Sequence, residues 1–288
     1  MGEPVAGQVG ERAGPLARRL RSMLLIALLT YAGWLALALA VQRRLLFPTF
    51  AVGTPTSYEP RLDGVEASWV EGGGARVESW FAAAPGASAA NPAGLVVFAH
   101  GNGELLQSLE REIAVFRERG FHVMACEYRG YGRSGGSPSE AGIVADHVAA
   151  LEATLARADV DPERLLFVGR SLGTGVVCQL AHAHPPRALV LYSPFTSVRA
   201  MMAGYAIPGL AVRDPFDNLE ALRELERPVL VVHGTRDGTI PFHHGEALHA
   251  ALEGATLRPV EGRGHNDLPW DSAEELGHLD AFLAEHLP

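Results

Sequence analysis

The chain has 288 residues, 24 basic against 33 acidic side chains and a formal charge of −9. Hydrophobic content of 48% with 20% charged residues excludes a disordered or low-complexity chain. The acidic balance argues against nucleic acid as a partner, because phosphate binding needs concentrated positive charge, and two cysteines, Cys126 and Cys178, are too few for a disulfide framework or a zinc–thiolate cluster.

The first element in chain order is an uncharged apolar run, MLLIALLTYAGWLALALAV, at residues 23–41. Crossing about 30 Å of hydrocarbon at about 1.5 Å per residue takes about 20 residues, so the run is just long enough for a transmembrane helix. A cleaved signal peptide is the competing reading, with Ala38-Leu39-Ala40 as its processing site. The length of the run and the arginines on both sides favour a retained anchor. A buried core helix fits poorly, since such helices seldom lack a polar face for so long. Arg12, Arg18, Arg19 and Arg21 precede the span, and Arg43 and Arg44 follow it. That bias places the N-terminal tail, residues 1–22, in the cytoplasm and the rest of the chain on the extracytoplasmic side. Residues 42–63, rich in Pro and Thr, read as a linker leading to a domain at 64–288.

Strand and helix patterns then alternate. Residues 67–70 and 76–81 flank Glu71-Gly72-Gly73-Gly74 as a hairpin. A strand at 95–99 precedes a helix at 104–119, a strand at 122–127 precedes a helix at 140–157, and a strand at 165–168 precedes a helix at 172–182. After a strand at 188–191 and an irregular stretch come a strand at 229–232, a helix at 244–252, a strand at 256–260 and a final helix at 272–286. Continuous apolar strands alternating with helices predict a parallel sheet buried on both faces. Such sheets carry their chemistry just beyond the carboxyl ends of the strands.

Gly169-Arg170-Ser171-Leu172-Gly173 is the strongest signal there. It matches G-x-S-x-G between a strand and a helix, where the nucleophile sits on a sharp turn that its neighbours must leave room for. Ser171 is then the candidate nucleophile, and the Leu172 N–H, at a helix N-terminus, points at a developing oxyanion. The bland alternative makes Ser171 a helix N-cap.

A serine needs a base. Of the 12 histidines, His182 and His184 end a helix; His244, His249, His278 and His286 lie on helices; His122 and His147 read as surface or helix-end residues. His100 and His233 end strands and are expected to bond within their own loops. His265 stands apart, in a Gly-rich loop after the last strand, and Asp237 follows the 229–232 strand. Together they give the order Ser…Asp…His. Asp214, Asp217 and Asp267 are rivals for the acid, and none follows a strand end so closely. His100-Gly101-Asn102-Gly103 ends the 95–99 strand, and the Asn102 amide is the candidate second oxyanion donor. EYRGYGRSGG at 127–136 lacks the ending of a phosphate loop and reads as a structural loop beside the site.

FAHGNGE, EYRGYGRSGGSPSE, GRSLGTG, YSPFTSV, PFDN, HGTRDGTIP and GRGHND, in this order, resemble the α/β-hydrolases. The resemblance is to the branch with an N-terminal membrane segment that includes protein depalmitoylases and related bacterial hydrolases. It implies an α/β fold with a mostly parallel central sheet, helices on both faces and a small cap, since only residues 194–217 are available for one. It also implies Ser171, Asp237 and His265 as the triad, with Leu172 and Asn102 as oxyanion donors. The expected activity is hydrolysis of acyl esters or thioesters, lipid-linked ones included, by a membrane-anchored serine hydrolase needing no metal or organic cofactor. An amide or peptide hydrolase of the serine aminopeptidase type, and a catalytically silent membrane-tethered module, are the alternatives.

Overall fold

The computed structural model describes residues 14–53, 60–269 and 271–288. Arg12, most of the predicted tail and residues 54–59 of the predicted linker lie outside them. The chain divides into two units, Met1–Gln42 and Arg43–Pro288.

Helix α1, Pro15–Leu46, runs past the apolar stretch at both ends. Proline is suited to a first helical turn, where its missing N–H has no partner to lose. Leu24, Leu28 and Leu29 are exposed, and the helix is long and apolar enough to be a candidate membrane span.

The second unit is built on one eight-stranded sheet. Strands β1 (Val65–Gly72) and β2 (Ala75–Ala82) form the expected hairpin. Then come β3 (Ala93–Ala99), β4 (Phe121–Cys126), β5 (Val160–Arg170), β6 (Ala188–Tyr192), β7 (Val229–Gly234) and β8 (Ala255–Val260). Their order across the sheet is β1-β2-β4-β3-β5-β6-β7-β8. The hairpin and its pairing to β4 are antiparallel, and every later pairing is parallel.

Because side chains alternate across a strand, Leu95 and Val97 enter one core while Val96 and Phe98 enter the other. Helices α3 (Glu140–Leu155) and α4 (Leu172–Ala183) cover the first face, through Ile143, Leu151, Val176 and Val177. Helix α2 (Glu110–Glu118) covers the other, through Ile113 and Phe116. Two short helices, α5 (Val198–Ala203) and α6 (Asn218–Leu222), lie between β6 and β7, where the sequence pattern is irregular. Helix α7 (His243–Ala251) packs on the α3–α4 face through Leu248, and α8 (Ala273–His286) on the α2 face through Phe282.

Three expectations need correction. The predicted 104–119 helix is a 3₁₀ turn at Leu106–Ser108 followed by α2, and the Leu106 N–H donates to Glu127. Strand β5 begins at Val160, earlier than predicted, because charged Asp161, Glu163 and Arg164 hide the apolar pattern at its start. His122 and His147 are fully buried. The His122 ring bridges two loops, accepting from the Ala84 N–H and donating to the Asp159 carbonyl. His147 donates to the Ile143 carbonyl on its own helix.

Candidate active site

Ser171 joins β5 to α4 with φ 52° and ψ −118°. A serine at positive φ carries backbone strain, which persists only where surrounding structure overdetermines it. Here the Ser171 N–H donates to the Tyr192 carbonyl at 2.9 Å, and the Thr174 N–H and hydroxyl both donate to the Ser171 carbonyl. The two flanking glycines are steric requirements. A Cβ at Gly169 would lie 2.6 Å from the Gly173 carbonyl oxygen, and one at Gly173 would overlap the Ala99 carbonyl. The Ser171 side chain makes no capping hydrogen bond to its helix, so the N-cap reading does not hold.

The Ser171 hydroxyl instead meets His265 Nε2 at 2.9 Å, and His265 Nδ1 lies 2.7 Å from Asp237 Oδ2. The loops carrying these residues interlock: the Arg236 N–H donates to the Arg263 carbonyl, and a Cβ at Gly234 would overlap that same carbonyl. The other carboxylate oxygen of Asp237 accepts the Thr239 and Ile240 N–H groups at 2.8 and 2.7 Å. His233 Nε2 lies 3.4 Å from Asp237 and donates to the Ile240 carbonyl, within its own loop. Burial opposes ionisation of Asp237, but its bonds to His233, His265 and Ile240 outweigh burial and hold the carboxyl far below the ordinary range. The carboxylate is therefore ionised, and an acceptor facing His265 Nδ1 puts the proton on that nitrogen and leaves Nε2 free to accept from Ser171.

Leu172 opens α4, so its N–H has no intrahelical partner. Asn102 lies in the turn after β3 and lines, with Ser171, His265, Thr239, Glu104 and Arg170, a cavity of about 380 Å³. All five residues predicted for the site thus stand at one end of the sheet, beyond the carboxyl ends of β3, β5, β7 and β8. The rival acids are engaged elsewhere. Asp214 pairs with Arg43 and accepts the Glu140 N–H, Asp217 caps α6, and Asp267 accepts the Gly264 N–H.

Sequence reasoning missed the charges around the nucleophile. Arg170, immediately before Ser171, pairs with Glu104 and Glu112. Burial pushes both carboxyls up. At Glu104 the Arg170 charge outweighs burial and the net shift is downward, whereas at Glu112 burial prevails. A second recess of about 240 Å³ joins these groups to Phe98, Phe116 and Tyr192 beside His265. The only available signal was the x of G-x-S-x-G, which the motif leaves open.

Residues 90–215 match the family model described as serine aminopeptidase, S33, and residues 198–285 the one described as TAP-like protein. The chain is 34% identical over 277 residues to an uncharacterized protein of Mycobacterium tuberculosis, covering 93% of this chain and 97% of that one. It is also 34% identical over 198 residues to alpha/beta hydrolase domain-containing protein 17B of Xenopus laevis, covering 67% of each. The human 17C protein is similar at the same identity, with 59% of its length covered. Among solved structures, Est1E of Butyrivibrio proteoclasticus with bound ferulic acid superposes with a TM-score of 0.64 at 16% identity, over 77% of this chain and 99% of that one. Esterase 2 of Thermogutta terrifontis gives 0.63 at 20% identity, over 81% and 99%. Both show a shared fold.

Proposed function

We propose that this chain, which belongs to the α/β-hydrolase family, is a membrane-anchored serine hydrolase that cleaves acyl esters or thioesters through Ser171, His265 and Asp237. One observation carries the reading: the hydroxyl of a serine held at positive φ lies in line with a histidine and a buried carboxylate, at 2.9 and 2.7 Å.

In this mechanism Ser171 Oγ attacks the acyl carbon as His265 Nε2 takes its proton, and the Leu172 and Asn102 N–H groups stabilise the oxyanion. The imidazolium then protonates the departing alcohol or thiol. Water, deprotonated by the same nitrogen, releases the acid from the acyl-enzyme. Asp237 keeps the ring in the productive tautomer throughout. No metal or organic cofactor enters these steps.

Helix α1 serves as the anchor. Its length, its apolar composition and the flanking arginines support an inserted span with the catalytic domain on the extracytoplasmic side. Tethering raises the local concentration of membrane-borne substrates, which favours lipid-linked esters and thioesters over soluble ones. The matched description of serine aminopeptidase supports a second reading, hydrolysis of aminoacyl amides by the same triad.

The test is a panel of p-nitrophenyl esters, acyl thioesters and aminoacyl anilides, run with a fluorophosphonate probe on wild type and Ser171→Ala. The expected result is turnover of esters or thioesters and labelling, both abolished in the variant. Turnover confined to the anilides would favour the amide reading. Undiminished activity in Ser171→Ala would remove the mechanism.

A further inference from the structure

Beneath the turn that follows β3 lies a fully buried cluster that the proposed mechanism leaves unused. The His100 ring makes two contacts, Nδ1 with the Gly101 carbonyl at 2.8 Å and Nε2 with Glu127 Oε1 at 3.0 Å. A carbonyl oxygen can only accept, so Nδ1 carries a proton. Glu127, 1% exposed, also accepts the Tyr128 N–H at 3.1 Å and the Leu106 N–H at 3.1 Å. Burial lowers the His100 imidazole, but its hydrogen bonds to Glu127 and Gly101 and the nearby carboxylate charges together outweigh burial, and the net shift is upward. The Tyr128 hydroxyl donates to the His100 carbonyl, and its ring stacks on the imidazole at 4.0 Å. The Tyr131 hydroxyl donates to the Asn102 carbonyl at 3.0 Å. Glu127, Tyr128 and Tyr131 all come from the glycine-rich 127–136 segment.

The consequence follows from peptide geometry. The Gly101 carbonyl and the Asn102 N–H belong to one peptide unit, and in a trans peptide these two groups point in opposite directions. No peptide bond among the described residues is cis. Gripping the Gly101 carbonyl from below therefore directs the Asn102 N–H away from the brace, and Asn102 and Ser171 line one cavity to which His100, Glu127, Tyr128 and Tyr131 do not contribute. Tyr131 holds the carbonyl of the next peptide unit, so neither of the two successive peptides can flip without losing a hydrogen bond. Glu127 keeps the His100 ring from rotating out of this grip.

We propose that Glu127 and Tyr131 are positioning residues that fix the orientation of the Asn102 oxyanion donor, Glu127 acting through His100 and Tyr131 directly on the turn. The proposal rests on the serine hydrolase reading. It assigns catalytic consequence to the 127–136 loop. Its signature is a loss confined to the tetrahedral state, because the donor is needed once the oxyanion forms and much less for substrate capture.

The experiment compares full-length wild type, Tyr131→Phe and Glu127→Gln on a soluble p-nitrophenyl ester, together with affinity for an alkyl boronic acid. The boronate forms a tetrahedral adduct on Ser171 and occupies the oxyanion position. Each variant should lose about tenfold in kcat, less than the hundredfold or more of deleting a donor outright, with KM within about twofold. Boronate affinity should fall by the same factor as kcat. Selective ¹⁵N-histidine NMR should show one imidazole that keeps its second proton to higher pH in wild type than in Glu127→Gln. Should Glu127→Gln fail to fold, Tyr131→Phe, which removes a single oxygen, carries the kinetic test. Variants with a lowered Tm but unchanged kcat and boronate affinity would overturn the proposal and leave the brace a stability element. A wild type that neither turns over esters nor reacts with the fluorophosphonate would overturn the serine hydrolase reading instead.

Discussion

Asp237→Asn exchanges one oxygen for an amide nitrogen, and the geometry dictates which one. The carboxylate oxygen facing Thr239 and Ile240 accepts two backbone N–H groups, at 2.8 and 2.7 Å. If the amide nitrogen took that place, the buried Ile240 N–H would be orphaned at about 1–3 kcal/mol, and the more exposed Thr239 N–H would lose its partner too. That puts the reversed orientation at least about 1–3 kcal/mol higher, so the asparagine NH₂ faces His265. A donor at 2.7 Å from Nδ1 forces that nitrogen to accept, and the ring proton moves to Nε2, where it points at Ser171. In that tautomer His265 cannot remove the serine proton. The expected loss in kcat/KM is about 10³–10⁴-fold, as when a triad carboxylate is replaced elsewhere. At about 1.4 kcal/mol per decade this is about 4–5.5 kcal/mol of transition-state stabilisation. The assay is steady-state ester hydrolysis, with thermal unfolding by circular dichroism to establish that the variant is folded. A folded Asp237→Asn within about tenfold of wild type would refute the orientation argument and the role given to Asp237.

Other outcomes follow from the same structure. Gly173→Ala would drive a Cβ into the Ala99 and His100 carbonyls, and it should cost about 1–3 kcal/mol or more in thermal stability together with most fluorophosphonate labelling; a neutral effect on both would contradict the packing described for the turn. Burial lowers the buried His147 and His244 rings to about 4, so the unfolded chain takes up these protons first as pH falls below about 6.5. Stability should therefore decline between about pH 6.5 and 4, by at most about 3 kcal/mol for His147, and denaturant titrations of His147→Leu should show a shallower slope. Below about pH 4 the Asp237 carboxylate adds a further loss, since its folded value lies under the unfolded one. An inserted α1 should keep the protein in the membrane fraction through alkaline carbonate washing; a mature N-terminus near Val41 would establish a cleaved signal peptide in its place.

The amino-acid sequence alone determined the layered architecture, because apolar strands and amphipathic helices are written in local periodicity. It also marked the turn at Ser171, where glycines two residues to either side answer a steric demand the chain makes on itself. Candidate residues at strand ends were legible for the same reason: in a parallel sheet the position after a strand is the position at the site. What the sequence could not express is which side chains meet across the sheet. His100 and Glu127 end neighbouring parallel strands, yet lie 27 residues apart with a helix between them. Nothing local to either residue distinguishes a buried pair from two solvated groups, and the sequence around His100 points only to its own loop. Burial of His122 and His147 is not written in the sequence, for a related reason. A histidine is amphipathic, and whether its ring is solvated or enclosed depends on neighbours supplied by distant segments, Ala84 and Asp159 in the first case and Tyr128 in the second. The Glu104–Arg170–Glu112 group likewise exists only once β5 has brought Arg170 up against the segment that follows β3. Local periodicity is a property of one segment, whereas charge pairing, tautomer and peptide orientation are properties of segments in contact, and only the tertiary structure brings those together.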